Sequence, residues 1–176
     1  MTRKFWSWED NNLNFTEKIS YESWYENLPA EMMFARELNN HKGDITVWIN
    51  SLGGDVFAAE IIYCLLKSYR GKVKVKIELA ASAASLIAMA GNVIEISAIG
   101  KIFIHNPARD NEVRCLGDGD EMSEENYPLE DVKENMIEIY KHKISLSPEK
   151  ISRLMDAGTW FNAQDAVALG LADKIF

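Results

Sequence analysis

The sequence predicts an α/β fold in which strands and helices alternate around a largely parallel sheet. Apolar strand patterns occupy residues 45–50 and 73–79, and each is followed by small residues and then by a helical pattern. Strands that alternate with helices imply crossover connections, which join parallel strands. The chain has 176 residues, of which 47% are hydrophobic, and therefore matches the size of one domain that buries its own core.

Two N-terminal segments precede the first strand of this alternation. Residues 1–14 are polar and aromatic by turns, and we expect them to form an arm that precedes a domain over residues 15–176. Residues 25–40 place apolar side chains at helical spacing and are predicted as a helix. Four bulky aromatic residues in or beside the arm would pack on a neighbouring molecule or on the chain's own surface: Phe5, Trp6, Trp8 and Phe15.

Two strand–helix units follow the first strand. Residues 55–69 have apolar positions at helical spacing, and the strand over 73–79 is followed by a helix over 82–89. Two short strands come next, over residues 93–96 and 102–105.

The C-terminal third begins with an acidic, glycine-containing insertion at residues 109–127. The amphipathic pattern over 129–145 predicts a long helix, and Ser147-Pro148 is a typical start for a second helix that runs to about residue 155. Asn162 begins a last helix that ends at Gly170, and a short strand closes the chain.

Composition excludes several classes of function. The formal net charge of −8 disfavours binding to nucleic acid, because such binding requires clustered Lys and Arg. Cys64 and Cys115 lack the spacing of metal ligands, so we expect no metal site, no disulfide framework and a cytoplasmic setting. No apolar stretch has the roughly 18 residues that a membrane span requires. The sequence indicates no cofactor.

Two turns carry the features that suggest chemistry. Gly53-Gly54 and Ala81-Ser82-Ala83 each stand where a strand becomes a helix, and small residues there let backbone N–H groups approach a ligand closely. Ser82 could act as a nucleophile, with His105 at the end of a third strand as its base. The amides of Gly54 and Ala83 could donate to an oxyanion.

Each of these features also has a structural interpretation. A serine within a run of alanines suits two closely packed helices, a histidine at a strand end is often only a polar residue with its hydrogen bonds satisfied, and paired glycines often form a tight turn. What favours nucleophilic acyl transfer is their order at three successive strand ends, since open parallel sheets bind ligands at that edge.

Four motifs resemble the proteolytic subunit of Clp protease, and most closely its phage-encoded head maturation branch. The resemblance spans about residues 38–175. The motifs are Ile49-Asn50-Ser51-Leu52-Gly53-Gly54, Ala80-Ala81-Ser82-Ala83-Ala84-Ser85 with Ala90-Gly91, Ile104-His105-Asn106-Pro107, and residues 160–173, Trp-Phe-Asn-Ala-Gln-Asp-Ala-Val-Ala-Leu-Gly-Leu-Ala-Asp.

The resemblance assigns roles to these residues. It implies a Clp/crotonase-type fold in which Ser82 is the nucleophile, His105 is the general base, and Gly54 and Ala83 are the oxyanion donors, while Gly53 belongs to the edge that binds the peptide. Ser85 lies one helical turn after Ser82 and suits a packing or capping role.

The third member of the triad departs from the family. The family has an acid at the position that Gly158 occupies here, and glycine cannot orient an imidazole. Asp156, two residues earlier, is the first candidate for a substitute, with a purely surface role as the alternative. The other possibility is a weaker Ser–His dyad.

The resemblance implies a serine endopeptidase that cleaves peptides or unfolded proteins inside a ring, a homo-oligomeric heptamer or stacked tetradecamer. Residues 129–145 would form the handle helix that protrudes from the domain. The partners of the protein would be an AAA+ unfoldase ATPase or phage capsid proteins. A crotonase-type acyl-CoA enzyme and an inactive scaffold subunit of a mixed ring are the alternatives.

Overall fold

The computed structural model describes residues 4–20, 30–108 and 128–176. The predicted insertion at 109–127 and the first part of the helix predicted over 25–40 lie outside these ranges. Within them the elements are β1 (Trp6–Glu9), β2 (Asn12–Phe15), α1 (Ala30–Asn40), β3 (Ile45–Ser51), α2 (Val56–Lys67), β4 (Val73–Ala81), α3 (Ala83–Ala88), β5 (Val93–Ile104), α4 (Leu129–Lys141), α5 (Pro148–Asp156), β6 (Thr159–Asn162), α6 (Ala163–Leu169) and β7 (Lys174–Ile175).

The strands form one sheet with a parallel centre. Strands β2, β3, β4 and β5 are neighbours and run parallel, whereas β1 pairs antiparallel with β2. The far edge of β5 is shared by β6, which is antiparallel, and β7, which is parallel. The predicted α/β fold is confirmed. Because Ser51 pairs with Ala80 and Ala81 pairs with Phe103, the carboxyl ends of β3, β4 and β5 meet at one edge.

The segment that we expected to be an N-terminal arm contributes strands to this sheet. Phe5, Trp6 and Phe15 are almost completely buried, and the rings of Trp6 and Phe15 pack on Phe34 of α1. We left open whether these aromatic side chains pack on a neighbouring molecule or on the chain itself. The structure buries these three in the chain's own core. The alternation of asparagine with Leu13 and Phe15 along β2 is only four residues long, which is too short to indicate a strand by itself.

Strand β5 differs most from the prediction, since one strand of 12 residues stands where two short strands were expected. Its pairing with β4 passes from Ile77 opposite Ile96 to Leu79 opposite Lys101, so the residues between those positions bulge out of the ladder. The unpredicted strand β6 pairs with the second half of β5. This pairing brings residues 158–160 beside the carboxyl end of β5.

The helices begin and end at the signals that the sequence carries. Asp55 caps α2 by accepting from the amide of Ala58, and Asn162 caps α6 by accepting from the amide of Asp165. Gly170 ends α6 in the left-handed conformation, with a φ of 87°. Helix α3 is buried along its whole length. No helix of the described ranges is long and apolar enough to cross a membrane.

Candidate active site

Ser82 occupies a strained turn between β4 and α3. Its φ of 54° and ψ of −129° are unusual for a residue with a side chain and cost on the order of 1–3 kcal/mol. Hydrogen bonds fix the turn on both sides: the Ser82 amide donates to the carbonyl of Phe103 at 2.9 Å, and the Ser82 carbonyl accepts from the amide of Ser85 at 2.9 Å. Strain that the surroundings maintain in this way is typical of functional sites.

His105 directly follows β5 and reaches the hydroxyl of Ser82. Its Nε2 lies 2.7 Å from Ser82 Oγ. In the tautomer that carries the proton on Nδ1, Nε2 accepts the serine proton, which is the geometry of a nucleophile and its base. The structure thus brings together the two residues that the sequence placed at separate strand ends.

Gly53 makes room for this turn. A Cβ at residue 53 would lie 2.5 Å from the carbonyl oxygen of Ala81 and 2.8 Å from Cβ of Ser82, so no side chain fits there. Its amide donates to Ser51 Oγ and its carbonyl accepts from the amide of Ile19. Both backbone groups of Gly53 therefore have partners within the chain, and its contact with a substrate stays a prediction.

The amide N–H of Gly54 points away from Ile19. Ile19 bonds to the carbonyl of Gly53 and to the amide of Asp55, which is the pattern of a short parallel bridge. In such a bridge the amide of the intervening residue, Gly54, points away from the partner strand. Ala83 begins α3, where amides have no partner within the helix, and its nitrogen would lie 2.9 Å from a Cβ at Gly53. Ala83, one candidate oxyanion donor, therefore lies beside Gly53, and the other candidate, Gly54, is the residue that follows Gly53.

Ser85 is completely buried and does not face the solvent beside His105. Its Oγ donates to the carbonyl of Ser82 at 2.6 Å and lies 2.7 Å from the hydroxyl of Tyr140 on α4. Burial raises the pKa of the Tyr140 hydroxyl far above its ordinary value, with the hydrogen bond to Ser85 opposing the shift. The contacts of Ser85 are those of a residue that supports the turn.

Asp156 lies at the end of α5 on the surface, where its carboxylate bonds to residues other than His105. Its Oδ1 accepts from Lys133 Nζ at 2.7 Å and from Asn106 Nδ2 at 3.0 Å. The hydrogen bond from Lys133, followed by that from Asn106, lowers the pKa of this carboxyl. The structure therefore does not bring the predicted substitute acid to His105; it connects Asp156 to the residue after His105.

Gly158 leaves the position beside His105 without a side chain. The β5–β6 register pairs Ile104 with Thr159, and its extension by one pair places Gly158 opposite His105. Its φ of 60° is left-handed. Across residues 4–20, 30–108 and 128–176, no carboxylate lies within hydrogen-bond distance of the imidazole.

Sequence reasoning missed an aromatic stack on this side of the sheet. The rings of Phe103 and His105 have centroids 5.2 Å apart and planes 18° apart, and Phe103 also stacks on Trp160 at 4.5 Å and 24°. The spacing of Phe103 and His105 by two along a strand places them on one face and could have indicated the first contact. The contact with Trp160 needed the unpredicted strand β6.

Comparison with known proteins supports the family that the motifs suggested. The family model described as Clp protease matches residues 9–176. Among solved structures, the chain resembles one titled ClpP1 N165D mutant from Listeria monocytogenes, with a TM-score of 0.72 at 20% identity. That match covers 94% of this chain and 91% of the other, and it shows a shared fold. Because the family model spans nearly the whole chain, the protein belongs to the Clp protease family of serine peptidases.

Proposed function

We propose that this chain is a serine endopeptidase in which Ser82 is the nucleophile and His105 is the general base. The observation that carries the proposal is the 2.7 Å contact between Ser82 Oγ and His105 Nε2, made from a strained turn whose backbone is fixed on both sides. A crotonase-type enzyme would need the paired backbone amides but would have no use for this contact.

The reaction follows from the positions of these groups. His105 Nε2 takes the proton from Ser82 Oγ as the oxygen attacks the carbonyl carbon of the scissile peptide bond. The carbonyl oxygen becomes an oxyanion that accepts hydrogen bonds from the amides of Gly54 and Ala83. His105 then gives its proton to the departing amine, and the acyl group remains on Ser82. Water, activated by the same imidazole, releases the acid and restores the serine.

The substrate class follows from the family and from the assembly that we propose. We propose a homo-oligomeric ring, a heptamer or a stacked tetradecamer, whose chamber admits peptides and unfolded chains but excludes folded proteins. Helix α4 would form the handle between rings. An AAA+ unfoldase ATPase in the cytoplasm, or the capsid precursors on which a phage-type member would act, would supply the polypeptide.

Labelling with a fluorophosphonate probe tests the active site. The probe reacts with an activated serine, so the assembled wild-type protein should be labelled on Ser82 and the Ser82→Ala variant should not. Ser68→Ala, which removes an exposed hydroxyl of similar type, is the control and should be labelled at the wild-type rate. Peptide mapping of the label separates Ser82 from Ser85.

A scaffold subunit without activity is the second candidate, and Gly158 is the observation that favours it. Absence of label on the assembled wild-type protein, together with no cleavage of fluorogenic peptides, would overturn the peptidase and support the scaffold. Native mass spectrometry tests the ring independently, and a stable monomer would contradict it.

A further inference from the structure

Phe103 and His105 form a flat stack on one face of β5. Alternate residues of a strand share a face, so Phe103 lies beside His105 while Ile102 and Ile104 point into the core. The ring centroids lie 5.2 Å apart with planes 18° apart, which is the offset arrangement that aromatic pairs favour. Trp160, opposite Phe103 on β6, stacks on the Phe103 ring in turn. The imidazole is therefore the last of three stacked rings.

The Phe103 ring also lies where a side chain at residue 158 would project. A Cβ at Gly158 would lie 3.6 Å from Cζ and 3.7 Å from Cε2 of Phe103, and no other atom would lie within 4 Å. The last β5–β6 pair is Ile104 with Thr159, and Gly158 directly precedes Thr159 as His105 directly follows Ile104. A longer side chain at 158 would therefore meet the Phe103 ring, which stacks on the imidazole.

A general base needs a fixed orientation. The Ser82 hydroxyl meets Nε2 only when the imidazole plane is held against rotation about its bond to Cβ, and a misplacement of about 1 Å can lower a rate by about 100-fold. In a triad a carboxylate bonded to Nδ1 supplies this restraint. Asp156, the acid nearest to Gly158 in the sequence, bonds instead to Asn106 and Lys133. The flat contact with Phe103 restrains the same rotation.

We propose that Phe103 is a positioning residue for His105, its ring holding the imidazole plane so that Nε2 faces Ser82 without a carboxylate from residues 4–20, 30–108 or 128–176 on Nδ1. Trp160 supports the Phe103 ring from the neighbouring strand. This inference rests on the proposed function, because it concerns how that base is oriented.

Three variants test the inference. Phe103→Leu removes the flat ring but keeps an apolar side chain, Phe103→Tyr keeps the ring, and Phe161→Leu removes a buried ring from the opposite face of β6. With a fluorogenic peptide, Phe103→Leu should lower kcat about tenfold and change KM less than about twofold, because orientation of the base acts on chemistry rather than on binding. Phe103→Tyr and Phe161→Leu should stay within about twofold of the wild type.

The outcomes separate this inference from the proposed function. A labelled wild type together with Phe103→Leu labelled at the same rate overturns the role of Phe103 and leaves the peptidase in place. An equal loss in Phe103→Tyr or in Phe161→Leu also overturns it, since the effect would then not come from stacking. A wild type that the fluorophosphonate does not label overturns both.

Discussion

The hydroxyl of Tyr140 lies 2.7 Å from the hydroxyl of Ser85, and both side chains are completely buried. Ser85 Oγ donates its own proton to the carbonyl of Ser82, so Tyr140 is the donor in the contact with Ser85. A chain of two hydrogen bonds thus joins α4 to the residue with the strained backbone. The helix that we propose as the handle is connected in this way to the turn that carries the nucleophile.

Removal of the Ser85 hydroxyl and removal of the Tyr140 hydroxyl should lower stability by different amounts. Ser85→Ala leaves the buried hydroxyl of Tyr140 without its partner and should lower the free energy of unfolding by roughly 1–3 kcal/mol. Tyr140→Phe removes the hydroxyl itself and should cost only about 1 kcal/mol. Urea unfolding of the two single variants and the double variant measures the coupling, and strictly additive losses would contradict the contact.

Gly53 should be far less tolerant of substitution than Gly43. In Gly53→Ala the new Cβ would lie 2.5 Å from the carbonyl oxygen of Ala81 and 2.8 Å from Cβ of Ser82, so the nucleophile turn must move. We expect fluorophosphonate labelling to fall by more than about tenfold. Gly43→Ala is the matched control, because Gly43 also has a positive φ but has no atom within 4 Å of the new Cβ. Similar labelling of the two variants would contradict the close approach.

The sequence was sufficient for the parts of the site that local patterns encode. Strand ends, paired glycines and the alanine run around Ser82 follow from local patterns, and parallel pairing then places them at one edge. Whether Ser82 Oγ meets His105 Nε2 could not be read from spacing, because the contact depends on the unusual φ of Ser82.

The remaining differences arise from pairing between distant segments. The bulge in β5 joins two short strands into one, and β6 could not be recognised because its four residues are stabilised by a partner about 60 positions earlier in the chain. The position of Asp156 has the same origin. Its carboxyl accepts hydrogen bonds from Lys133 of α4 and from Asn106, both distant in sequence. Its position in the sequence, two residues before Gly158, does not reveal these partners.

Asp156→Asn should change peptidase activity little, because its carboxyl contacts Asn106 and Lys133 and not His105. We expect kcat within about threefold of the wild type, whereas His105→Gln should lower it by more than about 100-fold. The hydrogen bonds that lower the pKa of Asp156 stabilise its charged form, so their contribution is present above the ordinary pKa of aspartate and is lost as the pH falls. A loss of activity in Asp156→Asn comparable to that in His105→Gln would make Asp156 part of the site after all.

Glu60 should make stability depend on pH near neutrality. Desolvation on α2 raises the pKa of its carboxyl from 4.5 to about 7, with Asn135 opposing the shift and Asp55 adding repulsion. Between these values the folded chain holds a proton that the unfolded chain has released, so the stability associated with Glu60 is present at low pH and is lost as the pH rises through about 7.

Glu60→Gln mimics the protonated carboxyl and removes this loss. After allowance for solvent screening, the variant should exceed the wild type by about 1–2 kcal/mol in free energy of unfolding at pH 8 and should match it near pH 4.5. Urea unfolding at the two pH values measures the difference. A constant offset between the proteins at both pH values would show that Glu60 keeps its ordinary pKa.

Gly158→Asp should supply the third member of the catalytic triad only when Phe103 is replaced by a smaller side chain. Aspartate tolerates a left-handed backbone better than most residues, and a Cβ at 158 lies at an ordinary contact distance from Phe103. The carboxylate beyond that Cβ must compete with the Phe103 ring for the space beside His105, so the single variant should change kcat by less than about threefold. Combined with Phe103→Leu, the same aspartate should raise kcat about tenfold or more above Phe103→Leu alone, because a carboxylate on Nδ1 orients the imidazole and stabilises its charged form.

Gly158→Asn in the same Phe103→Leu background has the same shape as aspartate without the charge and is the control. Equal effects of Asp and Asn would mean that the new side chain does not reach His105, and a full gain in Gly158→Asp alone would mean that Phe103 does not obstruct it.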